Sequence, residues 1–254
     1  MFSLTLEQTE FIRILKSLQD RIGLFPFEIK EDGIDIATMD DGRNMAIWIH
    51  FPLSMFSGFE FGGEETERYM IPSDAFTKAA ASTKYPIEIT SLMDGSIKMA
   101  SNDGRQTYKL IPERGDVEEE TEYHRNRFNT VLEEREYTTI KILKQDLLEA
   151  VRTVQVASEQ ARLVLEENAL LFSAVDAIIE ADGVAPLVES VENPDWSHPY
   201  ELKLLKFFLE VPKDNVEIVL HLLGDSDSFL VEIPFEDGGF CKMAVAAIPV
   251  RGEE

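Results

Sequence analysis

The chain has 254 residues and carries 48 acidic against 24 basic side chains, a formal net charge of −24. Its composition, 44% hydrophobic and 28% charged, suits one large or two ordinary globular cores, and no apolar run approaches the roughly 20 residues that span a bilayer as a helix. The single cysteine, Cys241, excludes an internal disulfide and a thiolate metal cluster, and the opening Met1-Phe2-Ser3-Leu4 lacks the basic region and apolar core of a secretory signal, so an intracellular site is expected.

In chain order, Phe2, Leu4 and Leu6 alternate and predict a short strand. Glu7 to Ile22 follows as a helix, with Phe11, Ile14, Leu15, Leu18 and Ile22 on one stripe and Arg13, Lys16 and Asp20 opposite. Phe27-Glu28-Ile29 and Ile34-Asp35-Ile36 predict a hairpin, and Met45 to Phe51 a further strand. The glycine-rich acidic stretch from Ser54 to Glu67 is expected to be a loop. Ser73 caps a second helix to about Thr83, with Lys78 on its polar side, and three antiparallel strands follow through Ile87, Ile97 and Gln106 to Ile111.

From Gly115 to Glu136 the chain is heavily charged, with no apolar stripe of useful length, and is expected to be a solvated linker. Beyond it the order repeats. A strand over Thr138 to Ile142 precedes a helix from Gln145 to about Val156, with Leu147, Val151 and Val154 inward and Arg152 outward. A hairpin of Leu163 to Leu165 with Leu170 to Ala174 follows, then a strand at Ala177 to Ala181 and an irregular stretch from Pro186 to Pro199. A helix from Glu201 to about Leu209 carries Lys206 opposite its apolar side and Lys203 on the flank, and three strands close the chain.

The two halves match at a separation that is constant at first and then drifts, Ile87-Glu88-Ile89 recurring as Val216-Glu217-Ile218 and Ile111-Pro112 as Ile248-Pro249. Phe11, Leu15 and Leu18 recur as Leu147, Val151 and Val154, Lys16 as Arg152, and Ile29 and Ile36 as Leu165 and Phe172. Such long-period similarity means duplicated architecture. The expected fold is therefore α+β: two duplicated domains of antiparallel sheet with two helices each, at 1–114 and 136–254, joined by a linker at 115–135. The helices of each copy are expected on one face of its sheet.

An acidic chain repels nucleic acid at long range unless its bases are gathered on one surface. All four predicted helices carry a basic residue opposite the apolar stripe: Arg13 and Lys16, Lys78, Arg152, and Lys206. That bias points to a DNA-facing surface. Nothing comparable points to an enzyme. There is no phosphate loop or dinucleotide fingerprint, and His50, His124, His198 and His221 lack metal-ligand spacing. Cys241 sits in a strand and reads as an inert core thiol.

The Met1-Phe2 strand and first helix, Gly33-Ile34-Asp35-Ile36-Ala37-Thr38-Met39-Asp40, Glu136-Tyr137, Leu204-Leu205-Lys206-Phe207-Phe208 and the Ile248-Pro249 tail with its closing acids resemble, in order and spacing, the proliferating cell nuclear antigen family of sliding clamps. The resemblance spans essentially the whole chain. It implies a six-domain ring of three chains that encircles duplex DNA without sequence specificity, with helices lining the bore, no catalysis and no cofactor. DNA-facing residues carried over are Arg13, Lys16, Lys78, Lys84, Arg152, Lys203 and Lys206. A pocket for a short peptide from DNA polymerase, clamp loader, flap endonuclease or DNA ligase would be built from Met39, Met45, Val131, Leu132, Phe229, Ala246, Ala247, Ile248 and Pro249. Edge strands bearing Tyr108 and Leu110, and Ile178 and Ile179, would pair between chains. The compartment would be cytoplasmic in an archaeon and nuclear in a eukaryote. Departures are Glu133 after Leu132, where relatives often place proline, Arg125 and Arg127 in the linker, and Arg43. A homotrimer is expected. The alternatives are a subunit of a heterotrimeric or checkpoint-type clamp, or a monomeric DNA-binding processivity factor.

Overall fold

The computed structural model describes residues 1–7, 10–62, 66–175, 178–192, 194–205, 215–224, 228–235 and 238–248. The chain divides into two compact units, Met1–Arg127 with Glu236–Phe240, and Phe128–Phe235 with Cys241–Glu254.

In the first unit, β1 (Phe2–Leu6), β5 (Gly58–Phe61), β7 (Ile87–Ser91), β8 (Ile97–Ser101) and β9 (Thr107–Leu110) form an antiparallel sheet in the order β5-β1-β7-β8-β9. The strands β2 (Leu24–Lys30), β3 (Gly33–Met39), β4 (Met45–Pro52) and β6 (Glu67–Pro72) run side by side in the order β4-β3-β2-β6. Helix α1 (Glu10–Leu18) buries Phe11, Ile14, Leu15 and Leu18, and each such side chain contributes about 1.5–3 kcal/mol. Helix α2 (Ser73–Ser82) buries Phe76, Ala79 and Ala80. Phe11 is the hub of this core, its ring 4.7 Å from Phe51, 5.6 Å from Phe56 and 6.3 Å from Phe76. The two helices are tied together where Ser73 Oγ donates to the Gln19 carbonyl at 3.4 Å and Thr77 Oγ1 bonds the Gln19 side chain.

In the second unit, β11 (Gln160–Leu165), β12 (Ala169–Val175), β13 (Glu180–Pro186) and β14 (Ser197–Glu201) form a sheet in the order β13-β12-β11-β14. The strands β10 (Tyr137–Leu143), β15 (Glu217–Leu223), β16 (Ser228–Pro234) and β17 (Phe240–Ala246) follow one another in that order. Helix α4 (Lys144–Gln155) buries Leu147, Ala150, Val151 and Val154. It lies so close to β13 that a Cβ on Gly183 would come within 2.5 Å of the Ala150 carbonyl oxygen, which is why glycine stands there.

The duplication is visible in hairpin register. Phe27 faces Ile36 and Ile29 faces Ile34 in the first unit; Leu163 faces Phe172 and Leu165 faces Leu170 in the second. These are the same positions in the two copies, all buried.

Four local expectations are corrected. The 115–135 stretch is not irregular: Val117–Glu134 forms an 18-residue helix, α3. Its buried stripe is Val117, Thr121, His124 and Phe128, at spacings of four, three and four. Two of the four are polar, so the stripe is hidden from an apolar count. Thr121 is accommodated because its hydroxyl donates to the Val117 carbonyl at 2.7 Å. Within the expected loop from Ser54 to Glu67, Gly58-Phe59-Glu60-Phe61 alternates and pairs with β1, Phe59 opposite Leu4 and Phe61 opposite Phe2. The strand expected over Ala177 to Ala181 lies at Glu180–Pro186 instead, and the irregular Pro186–Pro199 stretch ends in β14. Pro199 is tolerated there because β14 is an edge strand. Of the last expected helix, Leu202 to Leu205 is helical, and Lys206 onward lies outside the described residues until Asn215.

Candidate nucleic-acid interface and partner site

The amphipathic pattern that buries one side of each helix leaves outside the basic residues expected to face DNA, while Lys144 at the start of α4 is buried. Lys16 on α1, Lys78 on α2, Lys84 just beyond α2, and Arg152 on α4 are exposed, and Arg13 is half-exposed. Lys203, in the helical turn after β14, is exposed too. Several hold a neighbouring carboxylate: Arg13 to Glu10 at 2.7 Å, Lys78 to Asp74 at 2.6 Å and Lys203 to Glu201 at 2.6 Å. Such exposed pairs are worth about 0–1 kcal/mol and yield easily to a phosphate. Lys206 lies outside the described residues.

The expected peptide-contact residues differ in access. In the first unit, Met39 and Met45 flank a tight loop, with the Asp40 N–H donating to the Met45 carbonyl at 2.8 Å. The Asp40 carboxylate in turn accepts from the N–H groups of Asn44 and Met45, each at 2.7 Å. Arg43 takes the left-handed conformation (φ 56°) that closes this turn. Met39 is half-exposed, whereas Met45 is 1% exposed and is a core side chain. In the second unit, Phe229 is fully buried, its ring 4.8 Å from Tyr200. Val131 and Leu132 continue the inner stripe of α3 and are half-exposed, as are Ala247 and Ile248, while Ala246 is exposed. The Ile248 N–H donates to the Pro199 carbonyl at 2.9 Å, tying the tail to β14. Pro249 lies outside the described residues.

The expected pairing edges are at sheet margins. Strand β9, with Tyr108 half-exposed and Leu110 7% exposed, ends one sheet; β13 ends another, immediately after Ile178 and Ile179, which are 91% and 44% exposed.

One cluster in the first unit is not apparent from the sequence. Glu28 and Asp35 are cross-strand neighbours on β2 and β3, on the face opposite the Phe27–Ile36 core pair, and are only 1% and 6% exposed. Two buried carboxylates so placed repel each other unless cations cover them. Lys30 Nζ reaches both, Glu28 Oε2 at 2.7 Å and Asp35 Oδ2 at 2.9 Å. Arg125, on α3, does the same at 2.6 and 3.2 Å. The other oxygens are met by Arg68 Nε on Glu28 at 3.2 Å and His50 Nδ1 on Asp35 at 2.9 Å. Burial pushes the Asp35 carboxyl up, but the hydrogen bonds and charge from His50 and Lys30 outweigh it and bring the pKa to about 2. Burial raises Glu28 as well, and Lys30 and Arg125 more than reverse it. His50 is raised by its hydrogen bond to Asp35, with burial opposing. Glu118 bonding Arg68 at 3.1 Å, and Glu120 bonding the Thr38 hydroxyl, complete the seat of α3 on these strands. The readable signal was the alternation itself: two acids at the matched outward positions of one hairpin, and two unexplained arginines in an acidic linker.

No group of three or more potential metal-ligating side chains occurs among the described residues, and Cys241 is fully buried with its thiol raised by desolvation.

No protein-family model and no curated protein matches the sequence. Solved structures do match in fold. A chain of the PCNA2–PCNA3 complex from Sulfolobus tokodaii superimposes with a TM-score of 0.76 at 16% identity, covering 96% of this chain and 98% of that one. PCNA from Thermococcus kodakaraensis gives 0.75 at 15% identity, covering 98% and 100%. At these identities the likeness is one of fold, and it runs the whole length of the chain.

Proposed function

We propose that this chain, which has the fold of the archaeal PCNA structures, is a DNA sliding clamp: a ring-forming processivity factor that encircles duplex DNA and tethers replication and repair enzymes. The observation that carries the reading is the contrast between a net charge of −24 and the basic residues on the outward sides of α1, α2 and α4. Basic side chains of this kind contact phosphates without reading bases, so they favour sliding, and an acidic exterior discourages binding from outside. The chain does no chemistry of its own.

Association of identical copies is supported by the two sheet margins, and the closed form proposed for it is a trimer. The β9 side carries Arg105 and Lys109, the latter 2.5 Å from Asp94 within the chain, while β13 carries Glu180 and Asp182. Opposite charges on two edges of one chain suit head-to-tail pairing between copies, with the apolar Ile111, Ile178 and Val184 desolvated by it. The Sulfolobus neighbour comes from a complex that joins PCNA2 and PCNA3, and a mixed ring is the second reading.

Partner enzymes (polymerase, clamp loader, flap endonuclease and ligase) bind through a short peptide that contacts Val131, Leu132, Ala247 and Ile248 of the second unit. Reversing Lys16, Lys78, Arg152 and Lys206 to Glu together is expected to abolish stimulation of a polymerase on primed circular DNA; undiminished stimulation would refute the bore assignment. Leu132→Ser with Ile248→Ser is expected to weaken a synthetic peptide carrying a Gln and an aromatic pair; unchanged affinity would move the site elsewhere.

A further inference from the structure

The residues proposed to meet partner peptides from the linker, Val131 and Leu132, lie in the C-terminal half of α3, and the N-terminal half of the same helix is where the buried charge cluster holds it. An amphipathic helix with a mean polar character as strong as Val117–Glu134 does not seat itself by apolar burial alone. Only Val117 and Phe128 supply large buried apolar surface, at 4% and 3% exposure, with Thr121 and His124 between them. The specific grip comes from Arg125. One nitrogen of its guanidinium bridges Glu28 and Asp35, completing with Lys30 an alternating ring of two carboxylates and two cations. Its two satellites, Arg68 with Glu118 and Thr38 with Glu120, lie toward the start of the helix and fix which face turns inward.

We infer that Arg125 is a positioning residue for the partner site: by locking the rotation and register of α3 onto β2 and β3, it sets the presentation of Val131 and Leu132. Leu132 is two turns beyond Arg125, so on a helix it leaves the same side, and a rotation that releases Arg125 carries Leu132 with it. Neighbouring arginine Arg127 is exposed and has no such role, which makes it the matched control. The inference rests on the peptide-site reading for its consequence, and on the cluster geometry alone for its cause.

The test uses the full chain and two readouts. Arg125→Ala is expected to accelerate amide exchange across 117–134 by about tenfold or more, the effect of losing a charge-assisted bond to a buried partner, while the β11–β12 hairpin exchanges as before. It is also expected to weaken the synthetic Gln-aromatic peptide by about fivefold or more, whereas Arg127→Ala leaves both readouts unchanged. Combining Arg125→Ala with Asp35→Asn separates positioning from general destabilisation: the second substitution adds less than its effect in the wild type, because the two side chains share one interaction. If Arg125→Ala leaves exchange unchanged, the clasp does not exist. If exchange rises but the peptide binds as before, the clasp does not position the site. If the wild-type chain fails to bind the peptide, the peptide-site reading falls, and the positioning role with it, while the exchange result still decides whether Arg125 seats the helix.

Discussion

The two hairpins of this chain share a register and a core but have opposite outer faces. In β2–β3 the outward pair is Glu28 facing Asp35, buried beneath α3; in β11–β12 the matching pair is Val164 facing Leu171, half-exposed. Inward, the two copies are interchangeable in kind: Phe27 with Ile36, and Leu163 with Phe172. Packing density constrains the inner face of a duplicated hairpin, so its apolar character persists. The outer face is constrained only by what lies on it, and a helix rich in Glu and Arg gives one copy a charged face that the other has no use for.

This comparison is open to direct tests. The largest expected effect is from Arg125→Leu, which leaves two buried carboxylates to Lys30, Arg68 and His50 and is expected to cost about 3 kcal/mol in the first unit by denaturant-dependent hydrogen exchange. Replacing both carboxylates and the arginine by apolar residues, with Glu28→Val, Asp35→Leu and Arg125→Leu together, leaves the partly exposed Lys30, Arg68 and His50 to water and is expected to recover part of that loss, because apolar replacement of buried ion pairs is commonly neutral or better. A triple variant no more stable than Arg125→Leu alone would mean that the carboxylates are not what the arginine neutralises. The reciprocal change, Val164→Glu with Leu171→Asp, places like charges face to face on a half-exposed pair. It is expected to cost about 1 kcal/mol in the second unit, less than in the first because water screens a half-exposed pair, and the cost should fall with added salt.

A smaller effect concerns pH. His124 is buried on the inner side of α3, and desolvation lowers its pKa from the ordinary 6.5, with Glu120 opposing and Arg127 adding to the shift. An undocked helix therefore takes up a proton more readily than a docked one. Seating of α3 should weaken as pH falls below 6.5, and His124→Leu should remove that weakening. His50 acts on the strands and not on the seat of the helix: its pKa is raised by its hydrogen bond to Asp35 on the neighbouring strand, with burial opposing, so its contribution to folding of the first unit is full below 6.5 and lost as pH rises through its folded value. Protection factors of the 117–128 amides, taken against the intrinsic exchange rate at each pH, should fall from pH 7.5 to 5.5 in the wild type and stay level in His124→Leu; a fall of the same size in the variant would contradict the assignment.

Much of this architecture is legible in the sequence because apolar periodicity carries it. The stripes of α1 and α4, the alternation of β2, β3, β11 and β12, and the Asp94-Gly95 and Asp103-Gly104 turns all follow from residue spacing, and both turn glycines have positive φ. What periodicity misses are elements whose inner residues are polar or small. Helix α3 is hidden because Thr121 and His124 occupy its stripe, and β5 because glycines surround the Phe59–Phe61 alternation. The partner residues divide in the same way. Met45 and Phe229 are apolar like half-exposed Met39, and only the three-dimensional packing that leaves them at 1% and 0% exposure separates core from surface. The charge cluster was written in the sequence as Glu28, Asp35 and Arg125, but its two halves are separated by 90 residues and meet only once the linker is helical.

The central claim, that this chain works as a ring, is tested most directly by its molar mass in solution, measured by light scattering after gel filtration over a range of concentrations. The account predicts a species of about three times the 28.8 kDa of one chain that Ile178→Asp or Tyr108→Asp dissociates. A monomer at every concentration would contradict the homotrimeric ring, and would turn the search to a second kind of subunit or to a factor that holds DNA from one side.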